Sequence, residues 1–245
     1  MLVDVHTHLD DSQFTDLPEV IERAKKAGLG LIITQGTSLE SNKKVLEICK
    51  KYSIVKPALG LAPVTFLQTS KEADACFEFI EKNKPVAIGE VGLDNHWIKD
   101  RIPEQKVIFE KFIQLAEKHK IPLSVHSRDA ELETIEILES SKAKVIMHCF
   151  GGNMKLVKRM ADNGWSLSIP TSVVYDNHFQ KIVELVDLNQ LFTETDAPYL
   201  SPWRGKRNEP AFVAESIKKI AEIKKITTKE AEEQIEKNAN HMFSI

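Results

Sequence analysis

The sequence predicts an α/β protein: a (β/α)8 TIM barrel with one extra C-terminal helix. Three observations carry that expectation. Eight brief runs rich in Val and Ile recur along the chain: LVDVH, GLIITQG, IVKPALG, PVAIGEVG, PLSVHS, KVIMHCF, WSLSIP and LFTETD. Most lack polar/apolar alternation, as parallel strands covered on both faces do. Amphipathic stretches separate them, and 245 residues suit one such barrel.

The intervening stretches read as helices in turn. Leu17, Val20, Ile21 and Ala24 make one apolar face, ended by Gly28. Ile108, Phe112 and Leu115 make a second face, and Leu132, Ile135 and Leu138 a third. Met154, Val157 and Ala161 precede Gly164, and Val213, Ile217 and Ile220 follow the last strand. Thr69 with Glu72, and Thr227 with Glu230, have capping-box spacing. The extra helix is expected from about Thr228. No linker or repeat interrupts residues 1–245, so a single domain is expected. An open doubly wound sheet is the alternative, disfavoured because no glycine-rich phosphate fingerprint follows the first strand.

Composition narrows the function classes. Hydrophobic content of 42% and charged content of 28% are ordinary for a globular chain. A net charge of −3 argues against a bulk electrostatic nucleic-acid binder, while leaving room for a local basic patch. Cys49, Cys76 and Cys149 form neither a CxxC nor a disulfide framework, which suits a reducing compartment. Cys149 beside His148 is expected to be a small buried residue facing away from it. No apolar run reaches membrane-spanning length and the start lacks a signal-peptide pattern. A cytoplasmic protein is expected, with no membrane association and no obligate protein partner.

Chemistry gathers at strand ends. His6 and His8 alternate, so both point to one face of the first strand. Such a pair also arises by chance and needs partners. Glu90 ends the fourth strand, His126 the fifth, His148 the sixth and Asp196 the eighth. Barrel closure brings those ends to one mouth, where barrel active sites lie. Four imidazoles and two carboxylates exceed the needs of one four-coordinate ion. Two divalent ions bridged by Glu90 use them fully. Ions about 4 Å apart clamp the oxygens of a displacement and generate a metal-bound hydroxide at neutral pH. Ester hydrolysis is implied, with a phosphodiester the foremost substrate.

The motifs DVHTHLD, GEVGLD, HSRDA, MHCF and ETDAPYLSP…RGKRNEP resemble the TatD-type metal-dependent hydrolases, a branch of the amidohydrolase-like barrels. The resemblance runs in order from the first strand to the helix after the eighth. It implies a deoxyribonuclease, a 3′-to-5′ exonuclease on single-stranded DNA, or a D-aminoacyl-tRNA deacylase using the same residues. It implies that His6, His8, Glu90 and Asp196 hold one ion and Glu90, His126 and His148 the other. Asp196 would also orient or deprotonate water, making it and Glu90 the catalytic pair. Magnesium, manganese or zinc would serve. The chain departs from the family twice. Ala62 stands where a phosphate-binding His is usual, and Asn95, His96 and Trp97 replace aromatic residues after GLD.

Around the centre, Arg128 is expected either to contact a substrate phosphate or to pair with Asp129 or Glu131, and at least one of the loop residues Arg204, Lys206 and Arg207 to bind substrate, with Arg204 alternatively bracing its loop. His96 is a further substrate candidate. Asp4 and Asp94 are candidates to orient histidines, Asp4 alternatively as a capped interior carboxylate and Asp94 as a turn former, and Asn208 to cap a helix. Trp97 and Trp203 suit loop packing or base stacking. His119, His178 and His241 are assigned no function. Two rival readings remain: an amide- or lactone-cleaving amidohydrolase, disfavoured because its usual strand-four lysine is absent, and a non-catalytic metal-binding barrel.

Overall fold

A computed structural model describes residues 1–66 and 70–244. Eight strands form one sheet in the order β1 to β8. They are β1 Leu2–Thr7, β2 Leu29–Gln35, β3 Val55–Leu59, β4 Ala87–Gly92, β5 Leu123–His126, β6 Val145–Met147, β7 Ser166–Ile169 and β8 Leu191–Thr193. Each pairs in parallel with its sequence neighbour. An open doubly wound sheet would reverse strand order partway, so that alternative is excluded. The β1–β8 seam closes through backbone bonds just past the strands: Asp196 N to His6 O at 2.9 Å and His8 N to Ala197 O at 2.8 Å. The structure is a (β/α)8 barrel.

Helices form the outer layer: α1 Leu17–Lys26, α2 Leu39–Lys51, α3 Pro63–Phe66, α4 Ser70–Asn83, α5 Ile102–His119, α6 Glu131–Leu138, α7 Met154–Asp162, α8 Asn177–Leu185, α9 Val213–Lys224 and α10 Thr228–Phe243. The expected apolar faces turn to the core, fully or partly buried, with one exception. Ile135 and Leu138 pack inward, but Leu132 is exposed and Thr134 takes the inner position of α6. The helices α2 and α8 carry no face singled out from sequence. Each starts at a side-chain cap, Ser38 accepting from Ser41 N and Asp176 from His178 N. The Thr227–Glu230 capping box forms at the head of α10, the extra helix. Thr69, in the other expected box, lies outside the described residues. α10 packs against β1 and β8, so it covers the seam. The chain's amino group pairs with Glu232 and Glu236 on it.

Strands three to seven residues long, buried on both faces, bring their C-terminal ends to one rim. One glycine there is obligatory. Gly92 has φ +139°, and a Cβ on it would lie 2.0 Å from the His126 carbonyl oxygen. Only glycine lets β4 and β5 run this close, which sets Glu90 beside His126. Among the described residues no helix is long and apolar enough to cross a membrane.

Candidate metal centre

All six expected ligand side chains meet at that rim. His6 and Glu90 lie within β1 and β4, and His126 is the last residue of β5. His8, His148 and Asp196 sit one to three residues beyond β1, β6 and β8, so those strands are shorter than expected. Asp196 has φ +53°, a left-handed conformation that Asp and Asn adopt more readily than other side chains.

Four donor atoms form a compact group. His6 Nε2 lies 3.3 Å from His8 Nε2, 3.6 Å from Glu90 Oε2 and 3.8 Å from Asp196 Oδ1. His8 Nε2 lies 3.5 Å from Glu90 Oε2 and 3.3 Å from Asp196 Oδ1. Ligands about 2.1 Å from a shared ion stand roughly 3–4 Å apart, so these spacings suit a divalent cation. On the other side, Glu90 Oε1 lies 2.7 Å from His126 Nδ1. The ligand-capable triads are His6–His8–Glu90, His6–His148–Asp196 and Glu90–His126–His148. Glu90 thus presents one oxygen to each side.

The imidazoles are oriented from behind. His6 Nδ1 bonds Ser124 Oγ at 3.0 Å, His126 Nε2 bonds Asp94 Oδ2 at 2.8 Å, and His148 Nδ1 bonds Glu194 Oε2 at 2.8 Å. Such partners fix the tautomer and aim the other nitrogen at a metal. Glu194 is fully buried and also accepts from Ser168 Oγ at 2.5 Å and Cys149 N at 3.0 Å. Sequence reasoning missed Glu194 and Ser124. The available signal for Glu194 was its place two residues before Asp196 in the ETD run.

Burial and charge set the protonation pattern. Burial works to lower the His8 and His126 pKa values. Bonds from Asp196, and from Asp94 and Glu90, outweigh it and raise them to about 9 and about 10. His148 is raised against its burial by Glu194. His6 is lowered by burial and by the nearby His148 charge. Burial pushes Glu90 and Asp196 up, but histidine hydrogen bonds and charges hold both below the ordinary carboxylate range. The site therefore combines ionised carboxylates with imidazoles that hold displaceable protons.

The surrounding expectations divide. Asp94 has both roles foreseen for it, since Oδ1 also accepts from Trp97 N at 2.6 Å. Asp4 orients no imidazole. It accepts from Thr195 N at 3.0 Å, Thr195 Oγ1 at 2.6 Å and His6 N at 3.3 Å, tying β1 to the segment after β8. Burial pushes its carboxyl up to about 8. Asn208 caps no helix. Its buried amide donates toward Thr171 Oγ1, Thr195 O and Tyr199 O at 2.6–2.9 Å, holding the loop after β8 against the rim. Ala62 is buried, and its N–H goes to Thr37 O at 3.0 Å. His96 Nδ1 pairs with Asp129 at 2.9 Å. Cys149 is in none of the ligand-capable groups among the described residues, and neither it nor Cys49 forms a disulfide. His119 ends α5 beside Glu81, and His178 bonds Phe150 O. His241 lies on α10.

The basic loop divides in the structure. Arg207, one of three substrate candidates there, is held within the protein. It donates to Asp16 Oδ1 at 2.7 Å, Asp16 Oδ2 at 3.0 Å and Gln13 O at 2.6 Å, and lies over Phe14. Arg23 joins the same network through Glu209 and Asp16. The brace anticipated for Arg204 belongs to Arg207, because its neighbour Asn208 anchors that end of the loop. Arg128, Arg204 and Lys206 are exposed and lie over aromatic rings. Arg207→Ala is expected to lower stability by about 1 kcal/mol, the scale of a part-exposed ion-pair network. Urea denaturation checks this, and an unchanged midpoint would contradict the brace.

Comparison with known proteins follows this geometry. Residues 3–244 match the family model described as TatD related DNase. An uncharacterized metal-dependent hydrolase of Methanocaldococcus jannaschii is 39% identical, covering 98% of this chain and 96% of its own. A Homo sapiens protein named deoxyribonuclease TATDN3 is 34% identical over 99% of this chain and 94% of its own. Among solved structures, the TatD homologue YJJV of Escherichia coli superposes with a TM-score of 0.92 at 24% identity, covering 100% of this chain and 98% of the other, a likeness of fold. A six-ligand rim on this barrel and a match over almost the whole length lead to one conclusion: the chain belongs to the TatD-related DNase family of metal-dependent hydrolases.

Proposed function

We propose that the chain is a phosphodiesterase acting on DNA, a 3′-to-5′ exonuclease on single strands, using two divalent ions that share Glu90. The observation that supports this most is Glu90 itself, with one oxygen 3.5–3.6 Å from His8 and His6 and the other 2.7 Å from His126. His6, His8, Glu90 and Asp196 would hold one ion, and Glu90, His126 and His148 the other. When bound, the ions supply Lewis-acid activation of water and neutralise charge on the phosphate. Asp196, with Oδ1 turned to His8, keeps Oδ2 to take the proton from the attacking water. Ser124, Asp94 and Glu194 keep the imidazoles aimed during turnover. The four imidazoles favour zinc, and the two carboxylates with water leave room for manganese or magnesium. A reducing, cytoplasmic setting belongs to this reading, supported by three widely spaced cysteines with no CxxC among them.

Incubation with single-stranded DNA, duplex DNA, a D-aminoacyl-tRNA and a small phosphodiester, each with each metal, tests the reading. Mononucleotides shed from the 3′ end of single strands are expected. Deacylation of the tRNA without DNA cleavage would overturn it.

Proton release supplies a second test. In chelator-treated protein at pH 7, His8 and His126 are protonated, since their pKa values are about 9 and about 10. Metals take neutral imidazole, so loading expels those protons. Apparent affinity is expected to climb from pH 6 to 9 and level off above about 10. Calorimetry in buffers of different ionisation enthalpy counts the protons, and a count of zero would contradict the assignment. The same raised values give the chelator-treated fold a contribution to stability from His8 and His126 that is complete below the ordinary histidine pKa. That stability is lost as pH rises through about 9 to 10.

A further inference from the structure

Four aromatic side chains are exposed among the described residues: Trp97 at 66%, Tyr199 at 50%, Trp203 at 43% and Tyr175 at 40%. No described Phe accompanies them. All four lie on segments that follow β4, β7 or β8, at the end of the barrel that carries the metal centre. Scattered exposed apolar residues need no explanation. Exposed Trp and Tyr confined to one rim, three of them with a cation over the ring, form a pattern that does.

We propose that these rings build two base-stacking walls across the mouth, which grip a single-stranded nucleic acid by its bases. The proposal rests on the nuclease reading and adds the means of substrate selection. The first wall follows β4. Arg128 lies over the Trp97 ring at 5.4 Å, and His96 meets that ring edge-on at 4.9 Å. The wall is tied together by His96 Nδ1–Asp129 at 2.9 Å and Asn95 N–Arg128 O at 2.9 Å. It is also tied to the metal centre, because Asp94 accepts from Trp97 N and bonds His126.

The second wall follows β7 and β8. Trp203 packs edge-on against Phe212 at 4.6 Å, with Lys206 Nζ 5.9 Å from its ring. Arg204 lies over Tyr175 at 5.0 Å, and the Tyr175 hydroxyl donates to Ser201 O at 3.0 Å. Tyr199 stands nearer the ligands, 6.5 Å from the His8 ring, its hydroxyl held by Asp11 at 3.0 Å. In the closed order of eight strands, β4 and β8 lie opposite each other. The walls therefore face one another with the carboxylate-rich centre between them.

This arrangement suits bases more than phosphates. The chain is net negative and Arg207 is spent on its own loop, so a purely electrostatic grip has few free cations. Stacking on aromatic and guanidinium planes tolerates any base, and cations beside the rings reinforce it. In a duplex the base faces are already stacked on each other, which gives a physical reason for preferring single strands.

The test uses the full-length, manganese-loaded enzyme and fluorophore-labelled, cleavage-resistant phosphorothioate oligothymidylate, read by anisotropy. A matched oligomer lacks bases at alternate positions. Wild type is expected to bind the base-bearing oligomer at least about tenfold more tightly than the abasic one. In the double variant Trp97→Ala, Trp203→Ala that ratio should fall several-fold, the remainder resting on Tyr175 and Tyr199, and Trp→Tyr at both positions should restore most of it. A merely structural role would weaken both oligomers together and leave the ratio intact. A ratio near one in wild type, or an unchanged ratio in the double variant, overturns the stacking walls. Cleavage of unmodified oligomer by wild type is measured alongside. Cleavage with a ratio near one leaves the nuclease reading standing without the walls. A tenfold ratio without cleavage leaves the walls standing and removes the nuclease.

Discussion

Replacing Asp196 by Asn is expected to lower kcat by about 10³-fold, within the span of general-base catalysis, while the fold survives. The substitution preserves volume, and Asn tolerates the φ of +53° that the site imposes. The backbone bonds that close the barrel here, Asp196 N to His6 O and His8 N to Ala197 O, do not involve the carboxylate. What is lost is a charge held ionised by His8 and His148 and, on the proposed mechanism, the acceptor for the water proton. Thermal unfolding and steady-state kinetics on a small phosphodiester check the two halves. Turnover within a few-fold of wild type would remove Asp196 from catalysis.

Glu90→Gln is expected to weaken both metal sites more than about 100-fold, because losing even an outer partner of a ligand costs 10–100-fold. The side chain reaches both halves of the centre, so no single half is spared. Its negative charge also offsets four imidazoles drawn together, with the His6 and His148 rings stacked at 3.5 Å. Metal analysis after gel filtration should find neither ion retained. Full occupancy at one site would show that Glu90 serves one ion and is no bridge.

The cluster of six metal-capable side chains was legible in the sequence because its signals are local. His-x-His has the period of a strand face, and the other four residues each end an apolar run. The barrel was legible for the same reason: eight such runs alternate with amphipathic stretches. What sequence concealed depends on closure. Ser124 and Glu194 are chemically ordinary until the barrel sets them behind His6 and His148. Arg207 looks like its neighbours in RGKRN until the loop folds back on Asp16. Asn208 before Glu-Pro has the pattern of a cap, yet its amide serves three acceptors on the rim. Two of the three aromatic–cation pairs, Trp97 with Arg128 and Tyr175 with Arg204, join residues about thirty positions apart, so no short window of sequence displays them.

One titration bears most directly on the shared-ligand centre. Protein stripped by chelator is reloaded stepwise with manganese. At each step, bound equivalents, spin coupling by electron paramagnetic resonance, and phosphodiester hydrolysis are measured on the same sample. Activity is expected to rise with the second equivalent, together with the spin-coupled signal that a bridged pair gives, and both should be absent from Glu90→Gln. Full activity at one equivalent, with an uncoupled six-line signal, would contradict a centre built on two ions sharing Glu90.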